Sequence, residues 1–197
     1  MGLSRRKFLT ATTQLGIGAA TLSLGGALIK RHGSALALEK APVKTIHLEA
    51  REVMLELAPG KRIKAMAYNG QVPGPEIRVK DGERVRIVLK NSLSEPTTIH
   101  WHGVDVPNAM DGVPGITQKP VQPGETFTYE FIARPAGTRW YHTHFQEHRQ
   151  MDLGLVGPLI IEPASREPFP FDREYTLLLD DWATGTGRPL PETREGT

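Results

Sequence analysis

The sequence predicts an all-β domain of sandwich or barrel type. Short runs of alternating apolar and polar residues fill Lys44 to Ile161, and a period of two marks strands with one buried face. Turn formers separate the runs at Ala58-Pro59-Gly60, Asn69-Gly70, Pro73-Gly74-Pro75, Asp81-Gly82, Pro123-Gly124 and Pro135-Ala136-Gly137. No long stretch of this region repeats at the 3.6-residue helical period. The sixteen Pro and twenty Gly suit a fold with this many turns.

Taken in order, the first segment is not fold. Ser4-Arg5-Arg6-Lys7-Phe8-Leu9 reads as a twin-arginine export signal. A mildly apolar run from Leu9 to Ile29 follows, then Lys30-Arg31 and an Ala35-Leu36-Ala37 cleavage site. The run is also long enough for a membrane anchor, but its Gly, Thr, Ser and Gln weaken that reading. Residues 1–37 are therefore expected to be a signal peptide, and the protein periplasmic, extracellular or in the cell envelope. Contact with a membrane is expected only through that signal.

Within the mature chain, residues 38–163 form the expected domain. In Arg84–Lys90, Val85, Ile87 and Leu89 take one face; in Thr126–Phe131, Phe127, Tyr129 and Phe131 do the same. Pro163, Pro168 and Pro170 mark the following stretch as a connection, with the linker at 164–173. Glu174–Trp182 is predicted to be a strand, so that 174–197 opens a second unit. A lone strand has no neighbour to satisfy its edges.

Composition excludes several functions. With no Cys, the chain has no disulfides, no lipoprotein anchor and no thiolate metal site. Residues 1–37 carry five Lys/Arg and no Asp/Glu. Their removal leaves 19 basic against 22 acidic residues, a net charge of −3. The basic character thus belongs to the signal and argues nothing for nucleic acid.

Four of the seven His lie in two strings, His100-Trp101-His102-Gly103 and His142-Thr143-His144, the second led in by Trp140-Tyr141. On a strand, residues i and i+2 point the same way, roughly 7 Å apart at the backbone. His100 and His102 should then share a face, with Trp101 opposite. His142 and His144 should share a face with Trp140, with Tyr141 and Thr143 opposite. If the two strands are neighbours, four imidazoles converge. Imidazole suits copper, zinc, iron and nickel, and the spacing fits one ion or several. His32 lies in the signal, His47 in an alternating strand, and His148 in a polar segment. Met110 and Met151 read as packing residues. Asp111, before Gly112, is either a turn residue or a carboxylate that orients ligands or passes protons.

These strings resemble multicopper oxidases of the laccase type. So do Asn69-Gly70-Gln71-Val72-Pro73-Gly74-Pro75, Ile116-Thr117-Gln118-Lys119-Pro120, Gly137-Thr138-Arg139 before the second His string, and Gly154–Ile161. The resemblance runs in order from Lys44 to Glu162, and Glu174–Trp182 is similar to the opening of the family's second domain. It implies a cupredoxin-like Greek-key β-barrel or sandwich. It also implies an oxidoreductase that takes electrons from a reducing substrate at a type 1 copper and reduces dioxygen to water at a trinuclear copper cluster. By position, His100 matches a type 2 copper ligand, and His102, His142 and His144 match type 3 ligands. Asp111 matches the family's catalytic acidic residue near the cluster, which is implicated in proton delivery.

The family's other four cluster His, and its type 1 ligands with their Cys, have no counterpart in these 197 residues. The expectation is an N-terminal part of such an oxidase: a fragment, a split gene product or an interrupted reading frame. A separate chain would then carry the missing domains, and this chain alone would not turn over. A free-standing exported copper-binding or copper-buffering module is the alternative. A mononuclear zinc hydrolase is a third reading, since three His and a water make such a site. The reducing substrate is left open among phenols and cuprous, ferrous or manganous ions.

Overall fold

The computed structural model describes residues 42–165 and 171–182. The expected signal at 1–37 and the end of the expected second unit, 183–197, lie outside the described residues. No helix among the described residues is long and apolar enough to cross a membrane.

Among the described residues, eight strands build two four-stranded sheets. They are β1 (Val43–Ala58), β2 (Lys61–Tyr68), β3 (Ile77–Lys80), β4 (Arg84–Asn91), β5 (His100–His102), β6 (Thr126–Ile132), β7 (Gly137–His142) and β8 (Val156–Glu162). One sheet has the order β2-β1-β4-β6 and the other β3-β8-β7-β5. From β2 to β7, every connection crosses from one sheet to the other, so the strands wrap a common core as the sequence predicts. One turn of 3-10 helix, Asn108–Met110, and a four-residue helix α1, Glu147–Gln150, interrupt the loops.

The first sheet shows the predicted alternation directly. Val85, Ile87 and Leu89 of β4 are buried. Opposite them in antiparallel register stand Phe131, Tyr129 and Phe127 of β6, so one apolar face is matched row by row. On its other side β4 pairs in parallel with Val43–Ala50 of β1. The rest of β1 turns at Pro59-Gly60 to pair antiparallel with β2. Gly60 there has φ +73°, a left-handed conformation that glycine adopts without steric cost.

The second sheet is centred on β8, whose Leu159, Ile160 and Ile161 are buried. It pairs in parallel with β3 and antiparallel with β7, which in turn pairs with β5. Strand β5 has only three residues, and its central Trp101 pins it to the core. That ring lies 5.3 Å from Tyr129 and 5.1 Å from Phe131 of the facing sheet. Tyr141 plays the same part on β7: its ring meets Tyr68 at 5.2 Å and its hydroxyl donates to the Pro75 carbonyl at 2.7 Å. Gly157 lies against that ring, and a Cβ there would stand 2.3 Å from Tyr141 Cζ.

Residues 171–182 form no strand among the described residues, against the strand predicted at Glu174–Trp182. The alternation is present: Tyr175, Leu177 and Leu179 are exposed, with Thr176 and Leu178 between them less so. What is lacking is a ladder partner for the backbone. Side chains hold the segment instead. Arg78 pairs with Glu174 at 3.0 Å, and the Thr176 hydroxyl donates to Glu76 at 2.6 Å.

Candidate metal centre

The register of β5 and β7 assembles the centre. His100 stands opposite His142, Trp101 opposite Tyr141, and His102 opposite Trp140. Trp101 and Tyr141 enter the core, so the rows on either side present His100, His102, His142 and Trp140 on the outer face. The predicted facing is observed for His100, Trp101 and His102 and for Trp140, Tyr141 and His142, whereas Thr143 and His144 lie beyond the end of the strand. His144 follows the end of β7, with its ring 5.4 Å from that of His100 and 6.4 Å from that of His142. Ligand nitrogens of His100, His102 and His142 lie within 4.8 Å of one another. His144 borders this group without entering it at that distance.

Oxygen atoms orient three of the four rings. His100 Nδ1 lies 2.7 Å from the Asp111 carbonyl oxygen, and His142 Nδ1 lies 2.7 Å from the Thr143 carbonyl oxygen. A carbonyl only accepts, so each Nδ1 carries a proton, and the neutral form of such a ring has its bare nitrogen at Nε2. His144 Nδ1 lies 3.2 Å from a Glu147 carboxylate oxygen. Packing places the fourth: Trp140 stacks on His102 at 4.8 Å and on His142 at 4.2 Å between ring centres.

His142 Nε2 is buried and has no hydrogen-bond partner. An unpaired buried acceptor is costly, and a metal ion would satisfy it. Burial, aided by the neighbouring His100 and His102, holds the His142 pKa down at about 4. The ring is therefore neutral near pH 7, as a ligand must be. The donor set is imidazole nitrogen, without thiolate, and fits copper among the metals that imidazole suits.

Asp111 lies in a turn and also stands beside His100. Its backbone N–H donates to Asn108 in the 3-10 turn. Its carbonyl accepts from His100 Nδ1–H, and its carboxylate stands 3.4 Å from the same Nδ1. Gly112 is what brings it there. With φ +81° it packs so tightly that a Cβ would fall 1.9 Å from the Ile99 carbonyl oxygen.

The remaining candidates stay outside the cluster. His47 and His148 are exposed. Met110 packs against the core, and Met151 lines a cavity of about 450 Å³ with Trp140, Asp152 and Leu177. Sequence reasoning missed Glu147 and the Thr143 carbonyl. The i,i+3 spacing of His144 and Glu147 is the signal, and it becomes informative only once α1 is known to start at Glu147, just after Gln146, whose φ is +46°.

A cupredoxin-like two-sheet domain with two His-x-His strings brought together by neighbouring strands is the class that fold and site define. Residues 49–166 match the family model described as multicopper oxidase, and the chain belongs to that family. It is 45% identical over 125 residues to copper resistance protein A of Pseudomonas syringae pv. tomato, covering 62% of this chain and 20% of that protein. It is 33% identical over 193 residues to a multicopper oxidase of Mycobacterium tuberculosis, covering 94% of this chain and 37% of the relative. A solved multicopper oxidase from Pseudomonas thermotolerans superposes with a TM-score of 0.64 at 46% identity, covering 66% of this chain and 32% of that one. The chain therefore spans between a fifth and two fifths of the length of these relatives.

Proposed function

We propose that this chain is the N-terminal, copper-binding part of a laccase-like multicopper oxidase and supplies half of a trinuclear copper site. In this reading His100 is the type 2 ligand, and His102, His142 and His144 are type 3 ligands. Bound there, copper supplies one-electron transfer and the reduction of dioxygen to water. The observation that carries the reading is the convergence of three imidazole nitrogens within 4.8 Å, one of them buried without a partner.

The chain's own residues hold those ligands ready. The Asp111 and Thr143 carbonyls keep protons on the Nδ1 atoms of His100 and His142, which leaves Nε2 bare toward metal. Trp140 closes one side of His102 and His142 and limits their rotation. The Asp111 carboxylate, one-third exposed and beside His100, is the group that passes protons between solvent and the site. These 197 residues contain no Cys for a type 1 thiolate. The remaining ligands and the electron-entry site come from residues outside them, on the same chain or another. Residues 1–37 direct twin-arginine export, and the reducing substrate is a phenol or a cuprous, ferrous or manganous ion.

Copper titration of the chain, with His142→Ala beside it, tests the reading. Wild type should bind copper with an electron paramagnetic resonance signal of imidazole ligation. The variant should bind at least about tenfold more weakly while unfolding at a similar denaturant concentration. Equal copper binding by both proteins would overturn the assignment. Oxygen uptake by the copper-loaded 197 residues alone, given a phenol or a cuprous salt, would overturn the half-site.

A further inference from the structure

We infer that Gln150 is a positioning residue for the metal centre: it holds Thr143 from within α1, and through Thr143 it fixes the form of His142 and the setting of His144. The consequence for metal rests on the function proposed above; the geometry stands without it.

Gln150 is wholly buried, an unusual place for a side chain that is mostly found exposed. Its amide uses every polar direction it has. The oxygen accepts from the hydroxyls of Thr97 at 2.9 Å and Thr143 at 2.8 Å. The nitrogen donates to a Glu95 carboxylate oxygen and to the Pro96 carbonyl, both at 2.8 Å. A fully satisfied buried network of this kind admits one arrangement of its members.

Thr143 is the member that reaches the centre, since it lies between His142 and His144. Its carbonyl is the acceptor for His142 Nδ1. Its hydroxyl accepts from the Phe145 backbone N–H at 3.1 Å, which sets the chain's course just after His144. Its own N–H is tied to the Leu155 carbonyl at 3.1 Å. Rotation of this peptide would remove the acceptor that keeps the proton on Nδ1 and leaves Nε2 bare.

The same helix serves His144. A four-residue helix is too short to persist by itself. Side-chain ties hold α1: Gln150 as described, and Arg149, which pairs with Glu95. Glu147 of that turn stands 3.2 Å from His144 Nδ1. Release of Gln150 would therefore loosen the supports of two ligands at once.

The test uses the full chain as wild type, Gln150→Leu, Thr143→Val and Thr143→Ser. Long-range ¹H–¹⁵N NMR on metal-free protein reads the His142 tautomer, and copper titration followed by electron paramagnetic resonance reads the site. Wild type and Thr143→Ser should show a single Nδ1–H form. Gln150→Leu and Thr143→Val should show mixed tautomers, an altered copper signal and copper affinity about 10–100-fold lower. A folded Gln150→Leu or Thr143→Val protein with the wild-type tautomer and copper signal would overturn the inference. If Gln150→Leu does not fold, the Val and Ser variants of Thr143 decide the matter. If wild type binds no copper, the proposed function fails, and the tautomer still decides the role of Gln150.

Discussion

On one face of the β5–β7 pair, Trp101 and Tyr141 are wholly buried among aromatic rings; on the other, the rings of His100, His102, His142 and Trp140 meet one another. The same three rows of register serve both faces. The apolar face fixes the backbone, and the backbone fixes the distances between imidazoles. Damage to the apolar face should cost folding and metal together. Damage to the outer face should cost metal and leave folding largely intact.

Trp101→Ala should give the largest effect. Removal of a buried ring costs about 3–5 kcal/mol, against a total stability of about 5–15 kcal/mol for a domain. Urea denaturation should show that loss, with copper binding falling alongside it. A variant with wild-type stability would break the comparison. Gly112→Ala comes next. A left-handed φ alone costs a non-glycine residue about 1–3 kcal/mol, and its Cβ would collide with the Ile99 carbonyl. Asp111 should shift away from His100, and copper affinity should fall about 10–100-fold, read by titration at matched folded fraction.

A smaller effect concerns pH. His142 has a folded pKa of about 4, below the ordinary 6.5. Between those values the unfolded chain binds more protons than the folded one. Its contribution to stability is therefore complete above about pH 6.5 and is lost as pH falls toward 4. Melting of metal-free protein across that window should show the decline, and His142→Phe should flatten it. An equal decline in both proteins would assign the effect to other groups. The smallest change is expected from His148→Asn, an exposed site outside the cluster. Stability should stay within about 0.5 kcal/mol of wild type and copper affinity should be unchanged. Weakened binding there would extend the centre beyond the β5–β7 face.

The two faces were not equally legible in the sequence. Alternation reads one strand at a time, so Val85, Ile87 and Leu89, or the opposed facing of Trp101 and its flanking His, follow from local pattern alone. Register does not. Nothing local states that His100 meets His142, or that β1 lies parallel to β4 in one half and antiparallel to β2 in the other. The hydrogen-bond partners of the ring nitrogens were harder still. Two of them are backbone carbonyls, which every residue has, and the third is Glu147 on a helix too short to leave a periodic trace. The strand predicted at Glu174–Trp182 shows the opposite failure. Its alternation is real, but a strand is defined by a neighbour, and none stands beside it among the described residues.

The stacking of Trp140 on His102 and His142 also gives the molecule an optical gauge. Of the three Trp, Trp101 is sealed in the core and Trp182 lies near the end of the described chain, whereas Trp140 rests against two imidazoles at 4.8 and 4.2 Å. A paramagnetic ion held by those rings would quench the indole's emission. Occupancy of the centre would then be followed by intrinsic fluorescence, without a label, and Trp140→Phe should remove most of the response to copper.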